Sequence, residues 1–418
     1  MNPNIKGWLH GFCLKLESDY WKSIERPLDT GYEPALYRTI QPSGLMYGHP
    51  VKELGAITYG PDKLDAVARM KLIYAESLLT TGSLKLKSDN LITEEASTEH
   101  LVTELSDYFL NMYPGLYQGS TSSYLKNPYQ LTEKLISQRV SVKTSLMKNY
   151  LASLFHNSLL FLDVYYFGEW VSSFGEIPAS DIINEQSRLR LTILGVMALA
   201  ANADNKLQKE EKALFEFYLE SAGLDAAMSR EARALLNNFG RLSEVDIPQI
   251  ESWLIRKYLM EMAILVTLAD REINPSEQEF IAELGEKLNF TQSEISDSML
   301  AVESFVLANW PAMHYLLGKH NLEIISGRFV TRLKNYININ KDYVVQEIQE
   351  SRELFHLLGK SRTNTLTEVE KKIVNEQLID ILKTIPAFVI IALPFTFITL
   401  PTLLALLPKN AFPSSFRE

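Results

Sequence analysis

The chain has 418 residues, of which 46% are hydrophobic and 22% are charged, which is enough for two or three domains with hydrophobic cores. Its net charge of −10 argues against a nucleic-acid binder, because neutralising phosphates requires a concentrated basic surface. The single cysteine, Cys13, excludes an internal disulfide and a thiolate metal cluster, and it is typical of a reducing compartment.

Residues 1–178 are expected to form one helical domain of unnamed type. Ten glycines and prolines within residues 26–61 predict a loop-rich segment that lies across a core. The tyrosines of this segment are expected to hold it in place, although aromatic residues among glycines also suit a ligand.

Helical periodicity begins after this segment. Asp62 is predicted to cap a helix that runs to Leu79, and further helices are predicted over residues 98–112 and 131–170. The most apolar part of the last helix contains His156, where a lone histidine favours a core role over a ligand role.

Residues 180–310 contain an internal repeat at an offset of 66 residues. In each copy an apolar helix ends in Ala-Asp, a short turn follows, and an acidic helix begins. The Asn-Pro-Ser-Glu sequence at 274–277 is a capping box with proline at the first helical position. Asp225 and Thr291 are the corresponding candidate caps of the next helices.

The turns of this repeat resemble those of the TerB-type tellurite-resistance fold. Its pattern, Asp followed by a hydrophobic residue and then Glu, occurs at Asp204 with Glu211 and again at Asp270 with Glu277. The resemblance implies a helical fold and a link to divalent cations, for which carboxylate oxygens are suitable ligands. The alternative is that each Asp binds backbone donors in its turn and each Glu completes a cap. Arg271 opposes a cation in the second copy, so Asp204 is the better candidate ligand.

Residues 340–383 form a predicted helical connector. One helix is expected from Lys341 to Leu358, where Gly359 ends it. Thr365 and Glu368 are expected to form the capping box of a second, charged helix. Two such helices could pair or oligomerise, as coiled-coil helices do.

Residues 384–408 are 25 residues without a charge, between Lys383 and Lys409. As a helix they would extend about 37 Å, which exceeds the hydrocarbon core of about 30 Å. A kinked transmembrane helix is therefore predicted, and its kinks are attributed to prolines on one face, which are Pro386, Pro394, Pro401 and Pro408. The alternative is a buried hairpin helix in a soluble core.

The same stretch resembles the membrane segment of the leucine-zipper/EF-hand-containing transmembrane family. The resemblance rests on an ordered pattern comprising Asp380, Lys383, the four prolines, Pro413 and Phe416. It implies an inner-membrane location and an association with cation/proton exchange. The family has an acidic residue three positions after the second proline, whereas this chain has Phe397 there. The family's ribosome-binding domain follows this segment and the sequence here ends at Glu418, so ribosome binding is expected at the family level only.

Together these patterns predict a mainly α-helical protein with a TerB-like helical repeat and a C-terminal proline-kinked transmembrane helix. The N-terminus has no apolar signal-peptide core, so the bulk of the chain is expected on the cytoplasmic side of the inner membrane as a single-pass protein. Its expected partners are the lipid bilayer and either further copies of itself or another membrane protein, with no nucleic acid.

The favoured function is a membrane-anchored scaffold or interaction protein in envelope organisation or stress response. The alternatives are a component of cation/proton exchange and a divalent-metal-sensing module. No hydrolase, kinase or dinucleotide motif occurs, so an enzyme is not expected, and a divalent cation is the only cofactor considered.

Overall fold

A computed structural model describes residues 2–23, 31–50, 64–91, 98–116, 127–140, 155–201, 209–237, 242, 247, 250–269, 275–309, 321–363, 365–384 and 400–412. These residues form 17 α-helices and confirm the mainly helical fold class. The helices are α1 Trp8–Ser23, α2 Tyr32–Ile40, α3 Ala66–Ser88, α4 Thr98–Met112, α5 Pro128–Val140, α6 Leu160–Ser172, α7 Ala179–Ala201, α8 Lys209–Ala222, α9 Ala226–Asn237, α10 Trp253–Ala269, α11 Pro275–Lys287, α12 Gln292–Ala308, α13 Asn321–Ile339, α14 Lys341–Glu350, α15 Arg352–Thr363, α16 Glu368–Thr384 and α17 Leu400–Leu406. Short 3-10 turns lie at Gln41–Ser43, Leu45–Tyr47, Pro114–Leu116 and Lys409–Ala411.

The chain divides into two compact units, Met1–Val266 and Thr267–Glu418. The division falls within α10, and the predicted boundary near residue 178 lies inside the first unit. The predicted domain limits stay predictions.

The centre of the first unit is the pair of helices α3 and α6, around which α2, α4 and α5 pack. Asp65 begins α3, since its side chain accepts a hydrogen bond from the Ala68 amide at 2.7 Å. The predicted cap at Asp62 was therefore wrong, and α3 runs nine residues beyond Leu79, to Ser88. Sixteen residues of α3 are buried, so its apolar residues are not confined to one face. The pattern of apolar and polar residues therefore predicted the end of this helix poorly.

The segment at residues 31–50 is buried and compact. Instead of an extended loop it forms α2 and two 3-10 turns, which are joined by Gly44 in the left-handed region at φ 79°. Tyr37 and Tyr47 are buried, and both hydroxyls donate to Glu261. The prediction that tyrosines hold this segment on a core is confirmed for these two residues.

The internal repeat is present in the helices. α9 begins at residue 226 and α12 at residue 292, so their starts differ by 66. Asp225 accepts hydrogen bonds from the Ala227 and Met228 amides at 2.8 Å, and Thr291 forms a capping box with Glu294. Both predicted caps are confirmed.

In the second unit, α12 packs on α11 and α13, and α14, α15 and α16 pack on one another. The predicted helix from Lys341 to Leu358 is two helices, because α14 ends at Glu350 and Ser351 caps α15 through the Leu354 amide. Gly359 lies inside α15 and is buried, so it does not end a helix there.

The end of the uncharged stretch packs on the second unit. α17 contacts α13, and the turn at Lys409–Ala411 contacts α14. Its buried side chains are Leu403, Leu406, Leu407, Ala411 and Phe412. Residues 385–399 lie outside the described residues, and within the described part no helix is long and apolar enough to cross a membrane.

Candidate functional site

One buried polar group in the first unit centres on Asp163 in α6. Its carboxylate accepts hydrogen bonds from the Tyr74 hydroxyl at 2.7 Å, from the Tyr113 hydroxyl, and from Arg139 Nε at 3.0 Å and Nη2 at 2.6 Å. These partners come from α3, from the end of α4 and from α5. We call Tyr74, Tyr113, Arg139 and Asp163 the Asp163 cluster.

The electrostatics of this cluster favour a charged pair. Burial by itself would lower the pKa of Arg139, but the charge of Asp163, the neighbouring Tyr113 and Tyr74 and the hydrogen bond to Asp163 together outweigh burial and raise this pKa well above its ordinary value. Burial raises the pKa of Tyr113 to about 12, with Arg139 and Asp163 acting in opposite directions. The tyrosines are thus neutral donors at physiological pH, and they satisfy a carboxylate that would be costly to bury alone.

The Asp163 cluster continues into α7 through Gln186 and Arg190. Gln186 donates to the Tyr108 hydroxyl at 3.2 Å, and Arg190 donates to Gln186 Oε1 at 3.1 Å and to the Tyr113 hydroxyl at 3.4 Å. These hydrogen bonds connect side chains of α7 to side chains of the N-terminal helices.

A second buried carboxylate, Glu261, joins residues 31–50 to α10. It accepts hydrogen bonds from the Tyr37 hydroxyl at 2.5 Å and the Tyr47 hydroxyl at 2.7 Å, and it lies 3.7 Å from the buried ammonium of Lys257. We call Tyr37, Tyr47, Lys257 and Glu261 the Glu261 cluster. Burial raises the pKa of Glu261, and the Lys257 charge and the two tyrosine donors oppose that rise.

A third buried carboxylate, Glu303, lies in the second unit, on α12. Its Oε1 lies 3.1 Å from Arg332 Nε of α13, and its buried Oε2 has no hydrogen-bond partner in the described part of the chain. Burial raises the pKa of Glu303 to about 7, while Arg332 and Arg328 oppose the rise. Glu303 is the least satisfied of the three acids.

His156 is partly buried, and burial together with the nearby charge of Arg139 lowers its pKa to about 4, so it is neutral at physiological pH. Its Nε2 atom has no hydrogen-bond partner among the described residues, so its role as a satisfied core group stays a prediction.

The side chains of the four predicted metal ligands lie outside the described part of the structure. Asp204 and Asp270 lie outside the described residues, and of Glu211 and Glu277 only the backbone is described. Both glutamates occupy the third position of their helices, α8 and α11, where an acid completes a capping box and complements the helix dipole. Within the described residues no group of three His, Cys, Asp or Glu side chains could hold a metal ion.

The predicted membrane residues are only partly described. Pro386, Pro394, Pro413 and Phe416 lie outside the described residues, and Lys383 is described by its backbone alone. Asp380 is exposed on α16.

Two of the four prolines are described. Pro401 is the second described residue of α17, and Pro408, with φ −57° and ψ 144°, precedes the 3-10 turn at Lys409–Ala411. The prediction that the helix continues to Pro408 was wrong, because the helix ends at Leu406.

Sequence reasoning missed these three acids, which are among five that are buried in the described residues, although a local signal exists. Asp163, Glu261 and Glu303 each interrupt an otherwise apolar helical run. A lone acid on an apolar helix must find donors, which predicts a buried cluster. The partners themselves are distant, since Tyr37 and Glu261 are 224 residues apart.

Comparison with protein families matches residues 190–299 to the family described as tellurite resistance protein TerB. The matched region begins in α7 and ends in α12, so it contains both copies of the repeat, and it supports the TerB-like interpretation. No curated protein and no solved structure matches the chain.

Proposed function

We propose that this protein is a membrane-attached helical scaffold that presents a TerB-like segment as an interaction module. The observation that carries the proposal is the pair of buried clusters in the first unit. The Asp163 cluster connects to Gln186 and Arg190 of α7, and the Glu261 cluster lies on α10. TerB-like helices are thereby fixed to the N-terminal helices by hydrogen bonds.

The chemistry of these clusters favours support over catalysis. A general acid or base must reach a substrate proton, so at least one of its oxygens must be available to a ligand. Both oxygens of Asp163 and both oxygens of Glu261 already accept hydrogen bonds from buried partners. We therefore assign these acids a structural role, in which they hold neighbouring helices together.

Attachment to the cytoplasmic face of the inner membrane is supported by the uncharged stretch and by its resemblance to the leucine-zipper/EF-hand-containing transmembrane family. The packing of α17 on α13 modifies the single-pass arrangement. Both α16, which precedes the stretch, and α17, which ends it, belong to the second unit. We therefore propose that the chain enters and leaves the bilayer on the same side, so that residues 400–412 stay with the bulk of the protein.

Flotation with phosphatidylcholine vesicles tests this attachment. Wild-type protein is expected to float with the vesicles. The double variant Ile391→Asp/Phe395→Asp is expected to remain in the dense fraction, because burying a carboxylate in hydrocarbon costs about 2.5–3.5 kcal/mol at the membrane centre.

The matched control is Ile339→Asp/Val369→Asp, which adds the same two charges at side chains that are 74% and 69% exposed. This control is expected to float like the wild type. Flotation of the Ile391→Asp/Phe395→Asp variant at the wild-type level would refute membrane attachment through this stretch.

A further inference from the structure

A basic pocket lies near the N-terminus of the first unit. It is an open surface pocket with a volume of about 330 Å³, and residues 3–6, Trp8 of α1, α3 and α5 line it. The charged side chains that line it are Lys6, Lys71, Lys134 and Glu133. Three ammonium groups against one carboxylate are a local reversal of sign in a protein whose net charge is −10.

The carboxylate of Glu133 already accepts hydrogen bonds from backbone amides. Glu133 Oε2 accepts a hydrogen bond from the Gly7 amide at 3.0 Å, and Oε1 accepts one from the Leu9 amide at 2.9 Å. It thereby binds the first donors of α1, as a helix N-terminus requires. Lys71 donates to the neutral Asn4 side-chain oxygen at 3.4 Å instead of to a carboxylate. Asn4 in turn donates to the Asp65 carboxylate at 3.3 Å, so the three ammonium groups that line the pocket face two nearby carboxylates, which leaves a positive excess of one charge.

An apolar side chain at the rim indicates which anion suits the pocket. Ile5 lines the pocket and is 64% exposed, and it lies beside Lys6, whereas Trp8 forms a buried wall. An exposed apolar residue beside lysines is the pattern of a membrane-interface contact, in which the apolar group enters the acyl boundary and the cations meet phosphates. A soluble phosphate compound would leave Ile5 in water.

From this arrangement we infer that the pocket binds the phosphate headgroup of an anionic lipid, with Lys6 and Lys71 as phosphate donors and Ile5 inserted beside it. This contact is independent of residues 384–408. It would bring the first unit to a membrane surface even where the uncharged stretch does not insert.

Vesicle binding by the Ile391→Asp/Phe395→Asp protein tests the inference, because that background removes the proposed C-terminal attachment. This protein is expected to bind vesicles that contain phosphatidic acid more tightly than vesicles of phosphatidylcholine alone. Adding Lys6→Gln/Lys71→Gln should weaken binding about 25-fold, from about fivefold for each lysine near an anionic surface. The control pair Lys341→Gln/Lys372→Gln removes the same charge from the second unit and should leave binding unchanged.

Two further measurements distinguish a specific pocket from general attraction and from loss of folding. Lys6→Gln alone changes an exposed residue and should weaken binding about fivefold with an unchanged circular dichroism melt. Ile5→Ser should weaken vesicle binding but not the binding of glycerol phosphate in calorimetry. The inference is overturned if both double-lysine variants weaken binding equally, or if Ile5→Ser binds vesicles as tightly as its parent.

Discussion

At the scale of single residues, three acids within apolar helices decide how the helices are joined. Each is paired with a cation, with N–O distances of 2.6 Å for Asp163 and Arg139, 3.7 Å for Glu261 and Lys257, and 3.1 Å for Glu303 and Arg332. They differ in their other partners. Asp163 and Glu261 each receive two tyrosine hydroxyls, whereas the second oxygen of Glu303 receives no hydrogen bond from the described residues. Removing either partner of such a pair typically costs about 3–5 kcal/mol.

Glu303 should make the stability of the second unit depend on pH. Its folded pKa is about 7 and the ordinary value is 4.5, so between these values the folded state holds a proton that the unfolded state releases. The contribution of this group is therefore complete below about pH 4.5, and it is lost as the pH rises through about 7. Hydrogen exchange in α12 and α13, corrected for intrinsic rates, should be slower at about pH 5 than at about pH 8.

The matched variant is Glu303→Gln, which keeps an oxygen for Arg332 Nε but cannot titrate. Its exchange in α12 and α13 should not change between the two pH values. A pH difference as large as that of the wild type would show that Glu303 is not the group responsible.

At the scale of helices and turns, caps were predictable where one local solution existed. Thr291 and Asp225 cap the helices that the repeat predicted.

The sequence before α16 contains two overlapping capping boxes, and the predicted one, Thr365 with Glu368, was wrong. Thr367 and Glu370 form the box instead. Leu366 is buried just before the cap, and Glu370 forms an ion pair with Lys360 of α15 at 2.5 Å. Tertiary contacts decided between two boxes that are locally equivalent.

The contact between α3 and α6 depends on Gly168. A Cβ atom there would lie 2.6 Å from the Tyr32 hydroxyl and 2.9 Å from Thr81 Cγ2, closer than real Cβ contacts allow. Gly168→Ala should therefore lower the free energy of unfolding by about 1–3 kcal/mol, measured by denaturant titration. Gly11→Ala is the control, because a Cβ atom on Gly11 of α1 would meet nothing within 4 Å.

The control should leave stability unchanged or raise it by up to about 1 kcal/mol, since alanine favours a helix over glycine. Equal effects of the two substitutions would mean that close approach of α3 and α6 does not limit residue size at Gly168.

At the scale of the whole molecule, the sequence predicted the helical class and the 66-residue repeat, because both depend on local periodicity. It did not predict the clusters, whose members are far apart in sequence, as Tyr74 and Asp163 are at a separation of 89 residues. The sequence also did not predict that the end of the uncharged stretch packs in the protein core. Apolar side chains that suit a bilayer suit a protein core equally well, and only the position of α13 and α14 distinguishes the two outcomes for Leu403 and Phe412.

The burial of side chains within residues 400–412 can be tested by truncating them. Leu403 and Phe412 are 1% and 3% exposed, and the elements that carry or adjoin them pack on α13 and α14. Leu403→Ala/Phe412→Ala should destabilise the second unit by about 2–5 kcal/mol for each truncated side chain that leaves a cavity. Hydrogen exchange should accelerate in α13 and α14, while α3 and α6 of the first unit should keep their wild-type rates. Pro401→Ala is the control within the same segment, because the Pro401 side chain is exposed and its truncation leaves no cavity in the core. A single-pass anchor requires the opposite result, since residues 400–412 would then lie in or beyond the bilayer. Unchanged exchange in α13 and α14 of the double variant would therefore remove the reason for placing both ends of the uncharged stretch on one side of the membrane.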